Sequence, residues 1–189
     1  KVGDWSGTTA PTVAFGQGYS LTAMQATSVF AVIANDGVRV SPTVIAGTSD
    51  ASGNYTPSAT RESVRVISAD TARKMRIMME SVVSGNGTAP SAAIEGYRVA
   101  GKTGTAQRID DTCGCYRGYT ASFIGFAPAD NPAYVISVTI QDPKGMHWGG
   151  VLGGPVFKDV MSFVLKSKGI APTGTKINPV ALTEKQLLE

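Results

Sequence analysis

The chain holds 189 residues, 42% of them hydrophobic and 16% charged, which suits one globular domain or the larger part of one. Its formal net charge of +3 comes without a dense basic block, which argues against a nucleic-acid partner. No apolar run is long enough to cross a membrane. The chain opens at Lys1 in an irregular stretch, and we read it as a piece of a longer polypeptide whose targeting segment lies upstream.

Residues Lys1 to Gly18 are rich in Gly, Thr and Pro and read as irregular. Gly16-Gln17-Gly18 begins like a dinucleotide fingerprint, but Leu21 stands where the third glycine belongs, so a tight turn is expected. Thr22-Ala23-Met24-Gln25 is a capping box, and it opens a helix whose face carries Met24, Ser28, Ala31 and Val32. Asn35-Asp36-Gly37 stops that helix. Val38-Arg39-Val40 follows as a brief extended piece, and Pro42 to Glu62 reads as a surface hairpin or loop.

A second helix is expected from Ala69 to Val83, capped by Ser68, with Ala72, Met75, Met79, Val82 and Val83 as its buried stripe. Arg73, Lys74 and Arg76 on it read as a solvated face. A strand from Tyr97 to Gln107 comes next, then a polar loop from Arg108 to Gly118. That loop holds Cys113 and Cys115, separated by Gly114. They admit a local disulfide, which needs an oxidising compartment, or a pair of free thiols. Two thiolates and the distant His147 fall short of the four ligands of a zinc site, so no metal is expected.

Strands are expected over Thr120–Ala127 and Tyr134–Ile140, paired antiparallel across a short turn. The glycine-rich stretch from Gln141 to Gly154 reads as a surface loop, and its His147 and Trp148 admit a second reading as residues that line a cleft. A final helix is expected from Pro155, with Val156, Val160, Phe163 and Val164 as its apolar stripe. The order gives an α+β domain, an antiparallel sheet covered by helices, over residues 1–170, followed by a Pro- and Thr-rich tail over 171–189.

The chemistry centres on Val99-Ala100-Gly101-Lys102-Thr103-Gly104-Thr105-Ala106. Lys102 is a point charge with three donors. Thr103 and Thr105 stand two apart, so in a strand their hydroxyls share a face. Gly101 and Gly104 leave room for close approach of a backbone or ligand. Such a set suits an anion, either a phosphate or a carboxylate. Gly96 to Thr103 matches the phosphate-loop pattern G-x-x-x-x-G-K-[ST] of nucleotide hydrolases. That motif needs an apolar strand before the first glycine and a helix after the lysine, and the residues here suit neither. Lys102-Thr103-Gly104 also matches the K-T-G element of β-lactamases and penicillin-binding proteins.

The wider pattern resembles the C-terminal half of the transpeptidase domain of class B penicillin-binding proteins, most closely the division-specific (FtsI) type. Phe15-Gly16-Gln17-Gly18 with Thr22 to Gln25, Ala34-Asn35-Asp36-Gly37, the run from Gly96 to Ala106, Ser122 to Pro128, and Gly149-Gly150 with Pro155-Val156-Phe157 carry the resemblance. It implies a β-lactamase/DD-peptidase-like fold, incomplete in this chain, and no cofactor. It implies a peptidoglycan D,D-transpeptidase working by a serine acyl-enzyme, with stem peptides and β-lactam antibiotics as ligands and division-machinery proteins as partners. It also implies an extracytoplasmic domain at the septum, on an inner or plasma membrane, anchored by an N-terminal helix absent from this chain.

By the same resemblance, Lys102 lines the cleft and polarises the hydroxyl network around the serine. Thr103, Gly104 and Thr105 bind substrate, and the Thr105 N–H is an oxyanion-hole donor. No S-x-x-K occurs in the chain, so the nucleophile is expected on an N-terminal part of the same protein. Ser84-Gly85-Asn86 fits S-x-N only on paper, since the matching element lies upstream with the serine. A β-lactam-sensing domain of the same fold is the alternative.

Overall fold

The computed structural model describes residues 5–14, 16–59 and 61–174. Phe15 and residues 175–189 of the tail therefore lie outside the described residues. Within the stretch read as irregular there is one short helix, α1 (Thr9–Ala14). The capping box forms as read: Gln25 N donates to Thr22 Oγ1 at 3.1 Å, and Thr22 N donates to Gln25 Oε1 at 2.9 Å. It opens α2 (Ala23–Ala34), and Asn35 is its C-cap. Gly37 turns the chain at φ +84°, where a Cβ would meet the Ile67 carbonyl oxygen. The buried side of α2 is Val32 and Ile33, while Met24, on the same face as Val32 by its spacing, is exposed.

Strand β1 (Val38–Val40) pairs antiparallel with β4 (Ser63–Arg65). Between them β2 (Gly47–Ser49) and β3 (Tyr55–Pro57) make the surface hairpin, its turn held by two backbone N–H groups on Asp50 Oδ1. Ser68 caps α3 (Ala69–Glu80), and a 3-10 turn over Ser81–Val83 prolongs it. Arg73 and Lys74 pair with Asp70 on the exposed face. Arg76 differs from the solvated reading. Its mostly buried guanidinium bonds Ile33 O at 3.1 Å and Asp36 Oδ1 at 2.7 Å, tying α3 to the end of α2.

The main sheet is β5 (Ala100–Asp110), β6 (Cys115–Ala127) and β7 (Tyr134–Gln141), antiparallel in that order. Gly101 opposes Gly125, Thr103 opposes Phe123 and Thr105 opposes Ala121. The polar run read as a loop is instead the end of this hairpin. Ile109 pairs with Tyr116, and a Cys113–Cys115 disulfide closes the tip. β7 stops at Gln141, opposite Thr120, so the last rungs of β5 and β6 project as a two-stranded arm.

Helix α4 (Gly149–Ser167) begins six residues before the expected start, with Pro155 inside it. The glycines read as loop are its packing face. A Cβ on Gly149 would meet the carbonyl oxygens of Ser122 and Gly104, one on Gly150 that of Thr88, and one on Gly153 the Cβ of Phe123 at 2.9 Å. Tertiary packing thus overrides low helix propensity. The buried stripe is Phe157, Met161 and Leu165, whereas Val156, Val160 and Phe163 are exposed, Phe163 by 71%. Two apolar faces compete on this helix, and the one beside the glycines meets the sheet.

The core lies on both faces of the sheet. On one, Phe123, Val99 and Ile94 pack against Phe157, Met161 and Leu165 of α4. The Phe123 and Phe157 rings meet edge-on at 4.9 Å, and burying each ring contributes about 2 kcal/mol. On the other face, Ala100 and Phe126 pack against Ile33 of α2 and Met79 of α3. After α4 the chain is tied back to the approach of β5. Tyr97 OH donates to Ile170 O at 2.6 Å and Gly174 N to Gly96 O at 3.0 Å. Gly149→Ala should destabilise the fold by about 1–3 kcal/mol, because the new methyl meets backbone on both sides. Gly85→Ala, in open space, should stay within about 0.5 kcal/mol. Equal urea midpoints for the two variants would show that close approach is not what requires glycine at 149.

Candidate functional site

β5 is an edge strand: among the described residues it pairs only with β6. Cross-strand register sorts its side chains. Gly101, Thr103 and Thr105 oppose Gly125, Phe123 and Ala121 and face α4. Ala100, Lys102 and Gly104 face the side of α2 and α3. Thr103 and Thr105 therefore share a face, as their spacing requires. At Gly101 the close approach comes from within the protein, with the Ile124 carbonyl oxygen 3.0 Å from where its Cβ would lie. The Phe123 ring occupies the place of its Cβ, so the room there belongs to the core and not to a ligand. At Gly104 a Cβ would meet the Ser122 side chain, its hydroxyl first.

Lys102 points to the opposite face from the threonines, yet its ammonium comes round the open edge. Nζ donates to Thr103 O at 2.9 Å and stands 3.4 Å from Thr103 Oγ1. Among the described residues it forms no ion pair, whereas several other cations do. Arg117 pairs with Asp110, and Lys144 with Asp142. The Thr112 hydroxyl and N–H hold the Asp110 carboxyl below its usual value, and the Lys144 ammonium does the same for Asp142. The positive charge of Lys102 stands at the open strand edge.

Two contacts that periodicity does not reveal pin the threonines. Gly149 N, at the start of α4, donates to Thr105 Oγ1 at 3.2 Å. Thr88, from the loop after α3, lies with its hydroxyl 3.1 Å from that of Thr103. Fifteen residues separate Thr88 from Thr103 and forty-four separate Thr105 from Gly149, so only the fold brings them together. The same helix start carries His147 and Trp148 to the Thr105 end of the strand. His147 stacks on Tyr119 at 4.0 Å with the planes 8° apart, and Trp148 leans on His147 at 4.9 Å. Ser84, by contrast, uses its hydroxyl locally on Ser81 O at 2.7 Å.

The phosphate-loop alternative fails on this geometry. Lys102 and Thr103 lie inside an eleven-residue strand that runs on to Asp110, where that motif needs a helix. The site is instead an open strand edge with one cation and two oriented hydroxyls. Antiparallel sheet, covering helices and a Lys-Thr-Gly strand together fit the class of fold that carries the K-T-G element, that of β-lactamases and penicillin-binding proteins.

Comparison with known proteins carries this further. Residues 3–162 match the penicillin binding protein transpeptidase domain. Penicillin-binding protein PbpB of Mycolicibacterium smegmatis is 41% identical over 179 residues, covering 89% of this chain and 28% of that protein. A probable peptidoglycan D,D-transpeptidase PenA of Neisseria flavescens is 35% identical over 170 residues, covering 89% of this chain and 40% of that protein. Among solved structures, penicillin binding protein 3 of Mycobacterium tuberculosis, complexed with ampicillin, superposes with a TM-score of 0.85 at 37% identity, over 93% of this chain and 41% of that one. The chain belongs to the penicillin-binding protein transpeptidase family, and it spans well under half the length of these relatives.

The strand is seated by a buried ion pair just before it. Arg98 Nε and Nη2 donate to the two oxygens of Glu80 at 2.9 and 2.6 Å, and Ala129 N donates to Arg98 O at 2.8 Å. Glu80 is 2% exposed and Arg98 25%. The hydrogen bond to the Glu80 carboxylate raises the Arg98 guanidinium above its ordinary value, a direction in which only the charged form is populated. Arg98→Met strands a buried carboxylate and should lower stability by about 3–5 kcal/mol. Glu80→Gln should cost clearly less, because Arg98 still reaches water and the amide oxygen still accepts. Urea denaturation ranks the two, and the reverse order would refute this account of the pair.

Proposed function

We propose that the complete protein is a serine D,D-transpeptidase that cross-links peptidoglycan stem peptides, and that this chain supplies the Lys102–Thr105 wall of its active site. The observation that carries the reading is the open strand edge. There, among the described residues, Lys102 is unmatched by any carboxylate, and the hydroxyls of Thr103 and Thr105 are held by Thr88 and Gly149. The names and ligands of the relatives support it.

The chemistry needs a nucleophile from elsewhere in the protein. A serine in S-x-x-K attacks the carbonyl between the last two D-alanines of a donor stem peptide. Its proton passes to the neighbouring base, the terminal D-alanine leaves, and an acyl-enzyme remains. The amine of a second stem peptide then takes the acyl group and frees the serine. The ring carbonyl of a β-lactam acylates the same oxygen. Thr103 and Thr105 donate to the terminal carboxylate of the donor, and Lys102 supplies positive charge to that anion and to the serine's hydroxyl network. The Thr105 N–H stabilises the oxyanion, and Gly104 lets the peptide lie along the edge. The reaction belongs outside the cytoplasm, in a membrane-anchored protein working with division partners at the septum. An oxidising location also suits the Cys113–Cys115 disulfide.

Lys102→Ala in the complete protein should slow acylation by a penicillin about a hundredfold or more, with the melting temperature nearly unchanged. Intact-mass time courses read this as delayed appearance of a single covalent adduct on a serine outside the present chain. Unchanged acylation would remove Lys102 from the mechanism, and no adduct in a well-folded wild-type preparation would sink the whole reading.

A further inference from the structure

We propose that Thr88 is a positioning residue that aims the hydroxyl proton of Thr103 at the substrate carboxylate; this rests on the role given to Thr103 above. A hydroxyl has one proton to give and two lone pairs to accept with. A bound carboxylate only accepts, so each threonine must keep its proton for it. At Thr105 the fold arranges this directly, since the Gly149 N–H occupies the oxygen as a donor at 3.2 Å. Thr103 has no backbone donor of that kind. Lys102 Nζ is 3.4 Å from its oxygen and makes its shorter bond, 2.9 Å, to the Thr103 carbonyl. The group in position is the Thr88 hydroxyl at 3.1 Å. When Thr88 donates, the Thr103 proton turns to the open edge beside Lys102.

Thr88 is itself well seated, although its side chain borders solvent. Gly150 of α4 packs so closely that a Cβ there would meet the Thr88 carbonyl oxygen, and would lie 3.0 Å from Thr103 Cγ2. The next residue, Ala89, is fully buried, and its N–H donates to Val82 O at 2.9 Å. Ser91 closes the group by donating to Gly150 O at 2.9 Å. Loop, strand and helix thus meet at one hydroxyl pair, which keeps the donor preorganised before substrate arrives.

The test compares acylation of the complete protein by benzylpenicillin and by its methyl ester, which lacks the charged carboxylate. The wild type should favour the acid by about tenfold or more. Thr88→Val should lower the rate with the acid about threefold to tenfold, leave the rate with the ester unchanged, and so shrink the acid-to-ester ratio. Thr88→Ser should restore that ratio, and Thr88→Ala should repeat the loss if valine disturbs the loop. An equal fall with both probes, or none with either, would overturn the role of Thr88 while leaving the carboxylate reading in place. A wild type that does not distinguish acid from ester would overturn that reading and this inference with it.

Discussion

The arrangement depends on how closely the first turns of α4 approach the sheet. Glycine at 149, 150 and 153 lets helix backbone lie against the backbone of β5 and β6 and the loop before them. The gain is more than packing. It brings an unpaired helix N–H onto Thr105, lays the helix beside Thr88 and Thr103, and carries His147 onto the ring of Tyr119. The first N–H groups of a helix have no partner within it, so this contact also satisfies a donor that would otherwise need water. A structural requirement and an arrangement of chemistry are met by the same three residues.

The edge position of β5 does the complementary part. Inside a sheet, Lys102 and Thr103 would be divided by the strand between them, because successive side chains alternate. At an open edge the long lysine stem bends round the strand, and its ammonium arrives beside the threonine carbonyl. Groups from both faces therefore converge on one line. On the arm Arg117 is paired with Asp110, and beside it Lys144 with Asp142, so those two cations are already engaged by carboxylates. Glu80 and Arg98 hold the strand's approach by an ion pair of their own.

What could be read from the sequence was what neighbouring residues decide. The capping box at Thr22, the cap at Ser68, the turn at Gly37 and the strand nature of Lys102 to Thr105 each follow from a few adjacent positions. The misreadings share one cause, which is that a distant partner made the choice. Gly149 to Gly154 has the composition of a loop until β6 is laid against it. Val156, Val160 and Phe163 recur at helical spacing as well as Phe157, Met161 and Leu165 do, and only the place of Phe123 selects between them. The polar letters from Arg108 to Gly118 hid a continuing pair of strands. At the site, the lysine and threonines were legible as a motif, while Thr88 and the Gly149 amide were not, because they join it across long stretches of chain.

The flank of α4 that carries Val156, Val160 and Phe163 has a consequence for the behaviour of the chain in water. Among the described residues, the outer edges of β5 and β7 also lack strand partners. Unpaired strand edges and a contiguous greasy ridge are the two ingredients of uncontrolled self-association. Taken in isolation, this polypeptide would therefore be limited by its colloidal properties before its folding energy. Its self-association would rise steeply with concentration, and covering that ridge and those edges would suppress it.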